Sequence, residues 1–167
     1  MLQARDRIYR VRQPGDSDMK IAVVGSRDFN RPDAVRQFVW EQDRTTVIVS
    51  GGAAGVDSVA VGEAQRLGMP YEVHLPDWSR YGRRAGAVRN QQIVDAAHEV
   101  VAFWDGQSRG TKITMDMARA AGKRLRVWSL ESATLVDAVD PVNRGTTDRP
   151  RAHDPLSSLT AERQEGQ

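Results

Sequence analysis

Apolar residues fall in short blocks along this chain, and the blocks alternate with segments of helical spacing. KIAVV, from Lys20, is an apolar run that ends in glycine and predicts a buried strand. Pro32 suits the first turn of a helix, and AVRQFVWEQ sets Val35, Phe38 and Val39 at helical spacing. TVIVS predicts a second buried strand, which ends in Gly51-Gly52. DSVAVGEAQRLG predicts a helix with Asp57 as its N-cap and Gly68 as its stop. YEVHLP is a third strand. After the longer connection DWSRYGRRAG, a helix is predicted in AVRNQQIVDAAH, with Val88, Gln92 or Ile93, and Ala96 on one side. EVVAFW is a fourth strand, TKITMDMARAAG a helix closed by Gly122, and RLRVWSL a fifth strand.

Parallel neighbours need helical crossovers, so this alternation predicts an α/β domain. Right-handed crossovers make a doubly wound parallel sheet in three layers the simplest arrangement. The expectation is about five strands in the order 3-2-1-4-5, with the long connection carrying the chain to the other side of strand 1. Residues 1–18 are polar and predict a flexible N-terminal arm, with one short extended piece at IYRVR. The domain is placed at 19–135. Residues 136–167 turn to Pro, Arg, Asp, Ser, Thr and Gln, and predict a disordered tail.

Composition narrows the function classes. With 167 residues the chain can bury a real core, and 40% hydrophobic with 28% charged residues is ordinary for a globular protein. No cysteine is present, which removes disulfides, thiolate metal sites and a cysteine nucleophile. The balance of 24 basic and 22 acidic residues gives +2, which speaks against a polybasic nucleic-acid binder. The charge is uneven, because Arg80, Arg83, Arg84 and Arg89 cluster without an acid among them. No segment reaches the length of a membrane span and no apolar leader opens the chain, so a cytoplasmic protein is expected.

In a doubly wound sheet, ligands bind beyond the carboxyl ends of the strands, at the switch point. Here that point lies between strands 1 and 4, whose loops are GSRDFN and WDGQSRGT. The loop GGAAGVD after strand 2 lies beside them. A phosphate needs several N–H groups aimed at one spot, as a helix N-terminus supplies, and glycine lets the backbone approach. Gly25, Ser26 and Arg27 from the first loop are therefore candidates. So are Gly51, Gly52, Gly55 and Asp57 from the second, and Asp105, Gly106, Ser108, Gly110 and Thr111 from the third. Arg89 and Asn90 should face the same edge, and Arg83 and Arg84 could add charge. Trp78 and Tyr81 are candidates for a lid that stacks on a base, or for packing of the long connection. Asp57 could contact ribose or cap its helix. Asp105 is open to three readings: ribose ligand, magnesium ligand or turn former. Trp104 ends a strand and could line the pocket, while Trp40 and Trp128 are assigned to packing. The scattered His74, His98 and His153 form neither a metal cluster nor a triad. Neither GxGxxG nor a P-loop is present.

VVGSRDF, VSGGAAGVD, PDWSRYGRRAGAVRN and GQSRGT occur in this order. Together they resemble the DUF2493 family, a branch of the SLOG superfamily near YspA and YpsA. The resemblance spans about residues 20–128. It implies a Rossmann-like fold and a nucleotide-related ligand. Better understood relatives are the LOG phosphoribohydrolases, which cleave the N-glycosidic bond of nucleoside monophosphates. Others are DprA proteins, which bind single-stranded DNA, and sensor domains that bind nucleotide-derived signals.

LOG enzymes carry an arginine ahead of the fourth strand and then PGGxGTxxE. Arg89 and Gly110-Thr111 match that pattern, whereas Asp105-Gly106 replaces the first glycine pair. Thr114 stands where the glutamate would be. Cleavage builds an oxocarbenium-like centre that a carboxylate can stabilise and a threonine cannot. Asp116 lies about 200° round the helix and about 3 Å further along, so it is read as an exposed helix residue.

The main expectation is binding, or sensing, of a nucleotide or nucleotide-derived phosphate ligand. The alternatives are a nucleoside-monophosphate N-glycosidase and DprA-like binding of single-stranded nucleic acid. No cofactor is expected, and magnesium only in company with a nucleotide. The family suggests a homodimer, and a nucleic-acid partner ranks below the small molecule.

Overall fold

The computed structural model describes residues 8–11, 19–129 and 132–139. Its strands are β1 (Ile8–Val11), β2 (Lys20–Gly25), β3 (Val47–Ser50), β4 (Tyr71–His74), β5 (Glu99–Phe103), β6 (Arg124–Ser129) and β7 (Thr134–Val139). Its helices are α1 (Pro32–Glu41), α2 (Val56–Arg66), α3 (Trp78–Tyr81), α4 (Ala85–Ala96) and α5 (Arg109–Ala120), with a 3-10 turn at Gly82–Arg84. One sheet of seven strands runs β1-β4-β3-β2-β5-β6-β7. The inner run β4-β3-β2-β5-β6 is parallel throughout, and it is the 3-2-1-4-5 order read from the sequence. The fold is α/β, Rossmann-like and doubly wound.

The sequence reading falls short at both edges of the sheet. About five strands were expected, and β1 and β7 add one antiparallel strand to each side. β1 lies inside the segment read as an arm, where IYRVR had suggested an extended piece. It pairs Ile8 with His74 and Val11 with Tyr71. β7 crosses the boundary placed at 135 and pairs with β6, with a register shift between Leu125 and Arg126. Four residues are too short a run to show a period that separates a strand from an arm. What fixes them is the open edge of β4, whose unpaired N–H and C=O groups a neighbour satisfies. The rest of the arm, and the tail beyond residue 139, lie outside the described residues.

Alternation along the inner strands builds two cores. Ile21 and Val23 of β2 and Val101 and Phe103 of β5 face α1 and α2. Ala22 and Val24, with Val100 and Ala102, face α4 and α5. Helix α1 buries Ala34, Val35, Phe38 and Val39, the face its spacing predicts. Trp40, assigned to packing, instead stands 58% exposed on the same helix. Its position falls outside the stripe set by Val35, Phe38 and Val39. Trp128 does pack, with its ring stacked on Phe103 at 5.7 Å.

Phe103 anchors the floor beneath the switch point. It is fully buried, and its ring meets Phe29 edge-on at 5.6 Å and Phe38 at 6.0 Å. Its carbonyl accepts the Ser26 N–H at 3.0 Å, which joins the first residue after β2 to the end of β5. Phe103→Ala should lower the unfolding free energy by about 3–5 kcal/mol in urea titrations. A loss below about 1 kcal/mol would mean that the cluster does not hold the switch point as described.

Candidate functional site

A cavity of about 550 Å³ opens where β2 and β5 part. Its walls come from all three loops named in the sequence: Gly25, Arg27 and Asp28; Ala53, Ala54 and Asp57; Asp105, Gln107, Ser108, Gly110 and Thr111. Helix α4 closes the side with Arg89, Asn90 and Ile93, and Thr114 of α5 lies deeper in the wall. The remaining sequence candidates, Ser26, Gly51, Gly52, Gly55, Gly106, Trp78 and Tyr81, lie outside the lining. Asp28, Ala53, Ala54, Gln107 and Ile93 line it without having been singled out. Asp28 and Gln107 sit inside the quoted loops, so only their side-chain direction was hidden. Ile93 is one turn beyond Arg89 on α4, a spacing the sequence does show.

Asp57 is not the N-cap of α2. That position belongs to Gly55, whose φ is 86°. Asp57 sits in the first turn, buried, and its carboxylate reaches back over the preceding loop. It accepts the Gly51 N–H at 3.0 Å and the Ala53 N–H at 3.5 Å. Arg89 comes from α4 on the other side of the sheet. Its Nη1 donates to the Gly51 carbonyl at 2.6 Å and lies 3.9 Å from Asp57 Oδ2. Burial pushes the Asp57 pKa above the ordinary carboxylate value, and the nearby Arg89 charge and the two N–H groups only partly oppose it. Ser50 Oγ and Arg89 Nε are buried beside this pair without a hydrogen-bond partner. The Ser50 hydroxyl is close enough to favour the Asp57 anion slightly, yet its geometry falls short of a hydrogen bond.

The loop after β5 is ordered by its own aspartate. Asp105 Oδ1 accepts the N–H groups of Ser108 at 2.7 Å and Gln107 at 2.8 Å. Of its three readings, turn former is the one these bonds describe. The same bonds, Ser108 first, hold its pKa below the ordinary value. Ser26 is buried because its hydroxyl accepts the Asp105 N–H at 3.1 Å, so it braces the loop from below. Trp104 Nε1 donates to the Ser108 carbonyl at 3.0 Å. Ser108 caps α5, and its Oγ also accepts from Thr111 Oγ1 at 3.0 Å. These groups are spent on the loop, which leaves the N–H groups of Arg109 and Gly110 as the unengaged end of the helix.

Several glycines are explained by close packing alone. A β-carbon at Gly25 would stand 2.5 Å from the Phe103 carbonyl oxygen. One at Gly51 would overlap the Arg89 guanidinium, and one at Gly55 would overlap the Arg27 backbone. Gly110 is different. It lies in the first turn of α5, lines the cavity, and its missing β-carbon would point into open space. Glycine in a helix costs about 1 kcal/mol relative to alanine, and no neighbour among the described residues requires it there.

Thr114 faces the cavity and donates to the Gly110 carbonyl at 3.1 Å, so the position of the expected glutamate is on the cavity wall without a carboxylate. Asp116 is exposed and paired with Lys112 at 2.8 Å and Arg119 at 2.9 Å. His74 is buried against Glu72, 2.9 Å away, and lies outside the lining. Among the described residues, no group of three or more His, Asp or Glu side chains could hold a metal ion. No described helix is long and apolar enough to cross a membrane.

The Gene 61 protein of Mycobacterium phage D29 is 32% identical to this chain over 113 residues, which cover 62% of the chain and 90% of the phage protein. Among solved structures, DNA processing protein A (DprA) from Streptococcus pneumoniae superposes with a TM-score of 0.55 at 20% identity, over 65% of this chain. The chain spans half the length of that protein. DprA from Helicobacter pylori, in a structure that describes its single-stranded DNA binding mode, gives a TM-score of 0.53 at 20% identity over 85% of this chain and 79% of that one. These two likenesses are of fold. No protein-family model matches the chain.

The buried pair makes a pH-resolved prediction. With its pKa raised, folded Asp57 holds a proton at pH values where the unfolded chain has released it. Stability therefore falls as pH rises from about 4 through the raised value, and levels off above it. In urea unfolding across that range, Asp57→Asn, which keeps an acceptor for the Gly51 N–H, should gain on the parent protein as pH rises. A constant difference would contradict the assignment. Arg89→Ala should lower stability by about 3 kcal/mol near neutral pH, because it strands a buried carboxylate.

Proposed function

Because the chain belongs to the family of the Gene 61 protein of Mycobacterium phage D29 and shares the DprA fold, we propose that it binds single-stranded nucleic acid through the switch-point cavity. The observation that carries this reading is the asymmetry of charge at the cavity mouth. Arg27 and Arg109, at or next to the lining, and Arg83 and Arg84, in the turn that leads into α4, are all exposed. They have no carboxylate partner among the described residues. Acids elsewhere are paired: Asp33 to Arg31, Glu63 to Arg66, Glu72 to Lys20, Glu99 to Arg126, Asp116 to Lys112. Of the acids that line the cavity, Asp57 is buried beside Arg89 and Asp105 is bonded to its own loop, which leaves Asp28 as the exposed one against the arginines. The net charge of +2 is a whole-chain sum and carries no information on where the charge lies, so it does not register a local cluster of exposed arginines.

In this reading a phosphate sits at the open end of α5, against the Gly110 and Arg109 N–H groups, with Arg27 opposite. Asn90 and Gln107 offer donors and acceptors to the sugar or base. Arg89 serves mainly as a scaffold, since its nearest partners are Gly51 and Asp57. The absence of a carboxylate at Thr114 favours holding over cleavage. The narrower placement in the DUF2493 branch of the SLOG superfamily is part of the same proposal, and rests on the four motifs.

A free nucleoside phosphate is the second reading. A cavity of about 550 Å³ is of the size that takes one small molecule, and it supports this reading on volume alone. Fluorescence anisotropy with a labelled oligothymidylate at low salt separates the two. Strand binding should be salt-dependent and only weakly displaced by thymidine monophosphate. Arg27→Ala should weaken it and reduce the slope of log K against log salt by about 0.7, one phosphate contact on a single strand. Binding of the mononucleotide with no binding of the strand would favour the second reading. Binding of neither would end both.

A further inference from the structure

Two tryptophans stand 58% exposed, Trp40 and Trp78, and they differ in what lies beside them. The tip of the Trp78 ring passes 4.0 Å from the point where a β-carbon on Gly86 would sit. Gly86 belongs to the stripe of α4 that continues at Arg89, Asn90 and Ile93, because spacings of three and four share a helix face. Those three residues line the cavity. The indole therefore rests on the cavity-facing stripe of α4, one turn nearer the helix N-terminus and outside the cavity itself. Because α4 crosses back from the carboxyl edge of the sheet, its N-terminus is at the cavity mouth.

The ring is held there on a short, capped element. Asp77 Oδ1 accepts the Arg80 N–H at 3.0 Å, which fixes the turn that carries Trp78. The Arg80 guanidinium lies over the Tyr81 ring, 5.1 Å from its centre. Arg83 and Arg84 follow at once, exposed. One edge of the indole is thus set against a helix, much of the ring is open, and fixed positive charge flanks it. Trp40 also has an arginine close by, with Arg44 Nη1 donating to its carbonyl at 3.0 Å, but it lies on the last turn of α1, a helix that contributes nothing to the cavity lining.

We propose that Trp78 is a stacking platform for the base next to the nucleotide in the cavity, with Arg83 and Arg84 meeting the adjoining phosphates. Every base presents a π-face, so such a platform tolerates any sequence. It also makes the site select a strand over a single nucleotide, because one nucleotide cannot fill the cavity and cover the indole together. The inference rests on the strand-binding function proposed above.

The test measures thymidine monophosphate and oligothymidylates of two to eight nucleotides on the full chain and on Trp78→Ala, Trp78→Phe and Trp40→Ala. On the parent protein, affinity should rise sharply between one nucleotide and the length that reaches Trp78. Trp78→Ala should lose about tenfold or more on the longer strands and stay within about twofold on the mononucleotide. Trp78→Phe should recover much of the loss, which a general folding defect would not allow, and Trp40→Ala should match the parent. Equal strand affinity for the parent and Trp78→Ala overturns the platform while leaving strand binding in place. Parallel loss of mononucleotide and strand also overturns it, because Trp78 would then serve the cavity alone. If no strand binds the parent protein, the function fails first and the platform with it.

Discussion

Arg89 reaches from one layer of the molecule to a loop that belongs to the other. Its guanidinium donates to the Gly51 carbonyl and lies beside the Asp57 carboxylate, while Asp57 in turn accepts the Gly51 N–H. These contacts tie α4, the end of β3 and the start of α2 into one wall. Gly51 has to be glycine so that the guanidinium can lie against it. The strength of the arrangement comes with strain in its electrostatics, because Asp57 is buried deeply enough that its anion is disfavoured even with Arg89 near. Phe103 performs the matching task from beneath, holding β2 and β5 at the same depth.

The opposite wall is built more locally. Asp105 closes a turn on Gln107 and Ser108, Ser108 caps α5, and Ser26 braces the turn from β2. The outcome is a helix start in which the cap takes the Thr111 N–H, with the N–H groups of Arg109 and Gly110 left over. A site assembled from one long-range wall and one self-ordered loop separates rigidity from recognition. Loss of Arg89 or Asp57 should be felt in stability, whereas changes at Arg27 or Trp78 should be felt in binding.

The parallel sheet was legible because Ile21 to Val24, Val47 to Val49 and Val100 to Phe103 are buried on both faces and so read as unbroken apolar runs. The same feature fixed the switch point and the meeting of the three loops. β1 and β7 were not legible as strands of the sheet, since an edge strand is specified by the neighbour it pairs with. Asp57 was misread as a cap because sequence shows an acid at a helix start but not the direction of its side chain. The glycines were over-read in a similar way. Gly25, Gly51 and Gly55 answer to contacts 30 or more residues away or to a facing loop, whereas Gly106 and Gly110 have open space where a β-carbon would stand.

Backbone amide mapping by NMR with a short oligothymidylate addresses the central claim most directly. Shifts should concentrate at Arg27, Asn90, Arg109 and Gly110 and at the Trp78 indole, and leave α1 and the Trp40 indole unmoved. Shifts confined to α1 or to the outer strands, with the amides of Gly110 and Asn90 unchanged at saturation, would contradict the account.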